Sequence, residues 1–211
     1  MVTTVSPAKP ETVRSEAKRR QILEVAREIF LKEGYAAASM SAIATRLGGS
    51  KGTLYNYYRS KEELFAAFVD DSCKAQADAL FDHMPPFSDD LRAALVEFAR
   101  GFLSLILSEE VLAVQRVVIG DGGRFPEIGQ IFYETGPKMG EDRLTDYFEQ
   151  ILARGLLGGA SAREMARRFK DLVLSDYHYR SLWGVLPPWN ETTLSTAAES
   201  GADAFLKLFM A

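Results

Sequence analysis

Residues 50–61 hold a dense set of side chains able to grip nucleic acid: Ser50, Lys51, Thr53, Tyr55, Asn56, Tyr57 and Lys61. Lysine offers charge to a phosphate or to guanine, asparagine bonds base edges or phosphate, and tyrosine hydroxyls bond phosphate. Gly52, with no side chain, lets the backbone come close to a duplex. Ser60-Lys61-Glu62-Glu63 has the spacing of a capping box, with Ser60 and Glu63 three apart. A helix starting there aims its free N–H groups and Lys61 at the same surface, which suits an anion. The chemistry this pattern points to is the binding of a polyanion.

Catalytic patterns are poorer. Gly48-Gly49-Ser50-Lys51-Gly52 formally matches the nucleophile elbow G-x-S-x-G, but that motif needs a preceding strand, and helical periodicity precedes Ser50 here. Gly120-x-Gly122 fails as a dinucleotide fingerprint because Phe125 stands where the third glycine belongs. His83, His178 and Cys73 form no zinc spacing, and Asp176 with His178 makes a weak metal pair. Cys73 reads as a small packing residue. No cofactor, no metal and no enzymatic activity are expected. The rival readings are a helical enzyme and a helical interaction protein that binds no DNA.

The elements that position these residues are helical. Ile22, Leu23, Ala26, Ile29 and Phe30 form one stripe of a helix that stops at Gly34. Ser39 can cap a short helix carrying Met40, Ile43, Ala44 and Leu47, and Ser50 can cap another through Tyr58. The last two are joined only by Gly48-Gly49-Ser50, which is a helix-turn-helix pattern whose second helix enters the DNA major groove. A longer helix follows from Ser60 towards Leu80, with breaks at Pro85-Pro86. Further helices start at Ser88, near Leu112, at Pro126 (kinked at Gly136-Pro137), at Ser161 and at Asn190, with a stop at Pro187-Pro188. The fold class expected is all-α, with about nine helices and no strand.

Composition agrees. The chain has 211 residues, 47% hydrophobic and 26% charged, ordinary for a globular protein. Its apolar runs are short of a membrane span, and the N-terminus has no apolar core of a secretory signal. With a single cysteine, a cytoplasmic location and no membrane partner are expected. Residues 1–68 carry 11 Lys/Arg against 7 Asp/Glu, whereas residues 69–211 carry 14 against 22. A basic third followed by an acidic remainder suggests two modules with different partners. The boundaries expected are a disordered arm at 1–14, a helix-turn-helix domain at 15–62, and an effector-binding and dimerisation domain at 63–211.

The stretch from Arg19 to Phe68 resembles the DNA-binding domain of TetR/AcrR-family transcriptional regulators. The matching elements are ILEVAREIFLKEGY, the segment around Ile43-Ala44, and Ser50-Lys51-Gly52-Thr53-Leu54-Tyr55-x-Tyr57-Tyr58-x-Ser60-Lys61-Glu62-x-Leu64. The resemblance implies that Ser39 caps the second helix and touches phosphate. It implies that Lys51, Gly52 and Thr53 reach bases or nearby backbone, that Tyr55, Asn56 and Tyr57 contact phosphates and some bases, and that Lys61 binds phosphate. Leu54 and Tyr58 match inward-packing positions. Ser39 replaces the commoner threonine, and Gly49 replaces an apolar residue in the turn, a lost core anchor.

VQRVVIGDGGRFPEIGQIFYETGP resembles the C-terminal region of one AcrR-like subgroup. The function implied is a regulator, in the repressor sense, that binds a palindromic double-stranded DNA operator as a homodimer and is released by a small-molecule effector. The resemblance places the dimer contact on Ala162–Trp183 and Glu191–Met210, with Ala197, Ala198, Gly201 and Ala202 allowing close approach and Leu194, Phe205 and Phe209 adding apolar area. The effector pocket is expected among Phe98, Phe102, Ile106, Phe132 and Tyr177, with His178 and Arg124 as polar anchors.

Overall fold

The computed structural model describes residues 10–82, 84, 90–185 and 189–210. The chain is built from α1 (Pro10–Ala37), α2 (Met40–Arg46), α3 (Lys51–Tyr55), α4 (Lys61–Asp82), α5 (Leu91–Ile106), α6 (Glu109–Asp121), α7 (Pro126–Thr135), α8 (Pro137–Leu152), α9 (Ala162–Leu174), α10 (Tyr177–Leu182) and α11 (Glu191–Phe209). Among the described residues there is no strand; Leu157 and Met210 form one isolated antiparallel bridge.

The described residues form eleven helices where about nine were expected, for two local reasons. Pro137 has no N–H to continue the helix before it, so α8 restarts with proline at its first position, next to a Gly136 at φ −122° and ψ −80°. Ser175 takes φ 44°, a left-handed value rare for a residue with a side chain, and cuts the expected Ala162–Trp183 helix into α9 and α10. Three starts also move; the helix expected near Leu112 begins at Glu109 under a Ser108 cap. The first helix begins at Pro10, so residues 10–14 of the expected disordered arm are helical. The fifth is capped by Asp90, whose carboxylate accepts the Ala93 N–H at 2.9 Å. Ser88, His83, Pro85-Pro86 and Pro187-Pro188 lie outside the described residues, as does the Cys73 side chain.

Two apolar cores hold the chain. The first joins α1–α4: Ile22, Ile29, Phe30, Ile43, Leu54 and Phe65 are fully or almost fully buried in it, with Val114 of α6 and Ile128 of α7 inserted from the other half. Because Leu64, Phe65, Phe68 and Val69 belong to this core, the expected boundary at 62/63 does not separate two packed units; α4 is shared. The second core joins α5, α8, α9 and α11 around Phe98, Phe148, Phe169 and Phe205, with Phe169 and Phe205 edge to face at 5.1 Å.

The small residues of α11 serve this second core. Ala197, Ala198, Gly201, Ala202 and Phe205 are buried within the chain, and Leu194 and Phe209 pack against the same cluster. A Cβ on Gly201 would come within 2.8 Å of the Val173 Cα, so glycine is what lets α11 lie against α9. The close approach expected between two copies is thus made inside one chain.

Candidate nucleic-acid interface and effector cavity

The basic head is positioned by α1, whose inward stripe sets Phe30 edge to face with Phe65 at 5.1 Å and tilted against Phe68 at 5.6 Å. Two serines set the short helices. Ser39 accepts the Ala42 N–H at 3.1 Å and starts α2; Ser50 accepts the Thr53 N–H at 3.1 Å and starts α3. Such caps satisfy backbone donors that a helix start leaves unpaired. Leu54 and Tyr58 point inward at 1% and 4% exposure. That fixes the rotation of α3 and leaves Lys51, Gly52, Thr53, Tyr55 and Asn56 on one solvent-facing side; Tyr57 is half-buried. Ser39 and Ser50 are also exposed. Gly49 faces open space, with nothing within 4 Å of where its Cβ would stand.

Arg19 was missed by sequence reasoning. Its guanidinium stands over the rings of Tyr57 and Tyr58 at 5.7 and 5.8 Å and adds an exposed cation beside α3. The only signal was the Arg19-Arg20 pair, which is indistinguishable from an ordinary solvated helix face.

Lys61 is placed differently from the expectation of a free phosphate-binding cation. It is half-buried, and its ammonium donates to the carbonyls of Tyr35 and Ala38 at 2.8 and 3.1 Å while standing 3.9 Å from the Tyr35 ring centre. Tyr35 is fully buried and donates to Glu62 at 3.1 Å; burial, reinforced by that bond, pushes its phenol far up. The Glu62 carboxyl is held below the usual range by its own backbone N–H and by the Ser60 hydroxyl. Ser60 also accepts the Glu63 N–H at 3.1 Å, and Glu63 reaches back to the Arg59 N–H at 2.7 Å.

A cavity of about 540 Å³ opens between α4, α5, α6, α7, α8, α9 and α10. Five of the expected pocket residues, Phe98, Phe102, Ile106, Phe132 and His178, line it; Arg124 and Tyr177 do not. Arg124 is exposed and lies over Phe125 at 5.4 Å, and Tyr177 packs edge-on against Trp189 at 5.1 Å. His178 Nε2 donates to Gln115 Oε1 at 2.5 Å, and burial, with Lys170 nearby, lowers the imidazole below its ordinary value. Asp176 is occupied by Arg180 at 3.3 Å, so the weak metal pair with His178 is not brought together as a site. Gln115, Phe81, Phe169 and Arg143 also line the cavity and were missed. Apolar periodicity marks which face of a helix is inside, but not which inside residues border empty space.

A three-helix head, a capped and exposed third helix and a helical body with a cavity define a helix-turn-helix type of architecture. Residues 22–68 match the model of bacterial regulatory proteins of the tetR family, and residues 93–211 match that of the AefR-like transcriptional repressor C-terminal domain. The chain belongs to the TetR family of bacterial transcriptional regulators, with an AefR-like C-terminal part. The flavonoid-responsive regulator FrrA is 33% identical, covering 92% of this chain and 98% of its own, at a TM-score of 0.81. A TetR-family regulator from Mesorhizobium loti is 25% identical over 94% of this chain and 99% of its own, at 0.80. Among curated proteins, the HTH-type regulator YhgD of Bacillus subtilis is 30% identical over 113 residues, and the activator FasR of Mycolicibacterium smegmatis 46% over 54 residues. The chain spans 59% of the length of the first and 25% of the second, 48% and 26% of its own. These relatives are transcriptional regulators, not enzymes.

Proposed function

We propose that this protein binds a palindromic operator as a symmetric pair of copies, represses transcription there, and lets go when a small molecule fills the cavity. The observation that carries the reading is the exposed face of α3. Lys51, Gly52, Thr53, Tyr55 and Asn56 face solvent together because Leu54 and Tyr58 are locked inside. Ser39, Ser50, Tyr57 and Lys61 complete that surface, Lys61 chiefly by holding the corner between α1 and α2. One short helix reads few bases, so two copies on two half-sites are needed for useful specificity. The description of the C-terminal match as an AefR-like repressor domain favours repression over activation.

Three helices run from cavity to head; α7 carries Phe132 and Thr135 at the cavity and Ile128 in the head's core. The fourth begins at Lys61 in the head and carries Lys74, Ala77 and Phe81 to the cavity wall. The sixth carries Val111 and Gln115 at the cavity and ends at Asp121 beside the head. An occupant that prefers one arrangement of these helices shifts the population toward it, and release of DNA requires that preference to be energetic. The flavonoid response of FrrA shows that an aromatic effector class occurs in a relative of this similarity. No helix of the described residues is long and apolar enough to cross a membrane, and we take the cytoplasm as the place of action.

The test is selection of bound fragments from a random DNA pool, followed by anisotropy titration of the winning sequence. An inverted repeat and an affinity that falls steeply with salt support the reading. No enrichment at low salt, or a non-symmetric site bound by a single copy, overturns it.

A further inference from the structure

We propose that the effector cavity takes an uncharged, aromatic molecule bearing a hydroxyl, with the hydroxyl meeting Gln115 and His178. The inference rests on the cavity being the effector site and goes on to name what enters it.

Every cation on the cavity wall already has an acid. Lys74 stands 3.7 Å from Asp70, and Arg143 bonds Asp78 at 3.0 Å and Asp82 at 2.6 Å. Arg167 lies 3.0 Å from Glu141, and Lys170 lies 3.6 Å from Asp171. These are partly solvated pairs and add little stability. A carboxylate entering the cavity would give up its own water among apolar side chains, and each cation it meets there already faces an acid, so the attraction returns little of that cost. An ammonium meets the mirror-image difficulty, because Glu141 is already shared by Arg163 and Arg167. Neither sign of charge finds an unmatched partner.

The remaining wall is aromatic, with one polar spot. Phe98 and Phe102 stack at 6.1 Å with an 11° angle between their planes, and Phe81, Phe132 and Phe169 join them. Aromatic faces favour a ring-bearing guest through stacked and edge contacts. The polar spot is Gln115, 7% exposed, paired with the His178 imidazole. With His178 neutral, the pair offers both amide N–H donors and an acceptor nitrogen. A hydroxyl, which both donates and accepts, can use both kinds of group; a carboxylate, which only accepts, leaves the acceptor nitrogen unused. The volume, about 540 Å³, is within the range of pockets for small organic molecules.

The experiment compares four molecules sharing one ring body: biphenyl, 4-phenylphenol, biphenyl-4-carboxylate and 4-(aminomethyl)biphenyl. Each is titrated calorimetrically into the full chain at pH 7.5. The phenol is expected to bind about three- to tenfold tighter than biphenyl, the span of one net hydrogen bond. It is expected to bind tighter than either charged probe, whose charge loses its water against the aromatic wall and meets wall charges that are already matched. In Gln115→Leu, a substitution of similar size, the phenol and biphenyl should bind within about twofold of each other. This ranking in the wild-type protein needs no variant, so a Gln115→Leu chain that fails to fold leaves the test standing. A charged probe that binds as tightly as the phenol, a phenol preference that survives Gln115→Leu, or no binding by any probe overturns the proposal. Operator release, followed in parallel by anisotropy, separates the two claims. A phenol that binds without releasing DNA keeps the ligand class and defeats the effector reading. A charged probe that binds and releases DNA does the reverse.

Discussion

The carboxylate of Asp121, at the end of α6, accepts the backbone N–H of Ala36 at 3.0 Å, across 85 positions of sequence. Ala36 lies in the corner between α1 and α2, whose carbonyls at Tyr35 and Ala38 are held from the other side by Lys61 of α4. The corner that orients the reading helices is therefore clamped by two of the helices that also border the cavity. Asp121 can reach it because Gly34 takes φ 82°, ψ 168°, a conformation close to glycine-only, with its Cβ position 3.0 Å from the Asp121 oxygen.

Gly34→Ala should accordingly lower stability by about 1–3 kcal/mol through strain at a positive φ. It should also weaken operator binding by shifting the corner. Urea unfolding and anisotropy measure the two; an unchanged midpoint would show that the corner relaxes freely.

Lys51 and Lys61 should separate. Lys51 is exposed, so Lys51→Ala should leave the melting temperature unchanged and reduce the salt slope of DNA binding by about one unit, as for one lost phosphate contact. Lys61 bonds two buried-side carbonyls, so Lys61→Ala should lower stability by about 1–3 kcal/mol and weaken all DNA sequences alike. Equal stability for the two variants would contradict this division.

The pH dependence should report on His178. Burial holds its folded pKa below the free value of about 6.5, so the unfolded chain binds the proton more readily. Its contribution to stability is present above that free value and is lost as pH falls through the folded one. The melting-temperature gap between wild type and His178→Gln should narrow from pH 7.5 to pH 5. A gap that widens on acidification would show that the imidazole is charged in the folded chain.

Gly201→Val tests which contact the small residues of α11 make. A side chain there meets Val173 backbone at under 3 Å, so the chain itself should lose about 1–3 kcal/mol of stability. If the glycine instead faced a second copy, the variant would become monomeric with an unchanged unfolding midpoint.

With that stripe buried, the proposed pairing needs other apolar surface. Trp183 is 72% exposed and packs on Tyr179 at 5.9 Å, with Val185 at 62%. Arg116 of α6 bonds the Ser181 and Leu182 carbonyls beside them, which brings Ile119, one turn along α6 and 67% exposed, to the same edge. An apolar cluster of this kind marks an interaction surface. Trp183→Glu should shift sedimentation toward the single chain and weaken operator binding at least tenfold, because both half-sites must be filled by one assembly. A dimer of undiminished strength would move the pairing face elsewhere.

The sequence alone determined the helical class, the caps at Ser39, Ser50 and Ser161, the break at Gly34 and the face of α3 that points outward, because these depend on residues within one or two turns of each other. A stripe such as Ile22-Ala26-Ile29-Phe30 announces that it will be buried whatever covers it. What covers it was decided only by the fold. Val114 and Ile128 enter the head's core from far along the chain, Lys61 turns inward to the corner carbonyls, and the stripe of α11 meets Val173 of its own chain instead of a second copy. Likewise Phe98 and Phe102 border a cavity while Phe148 and Phe205 fill a core, though the four are alike in the sequence. Periodicity records how apolar a face is; it holds no information about the partner or the empty space that the face meets, since those are set by contacts between residues many positions apart.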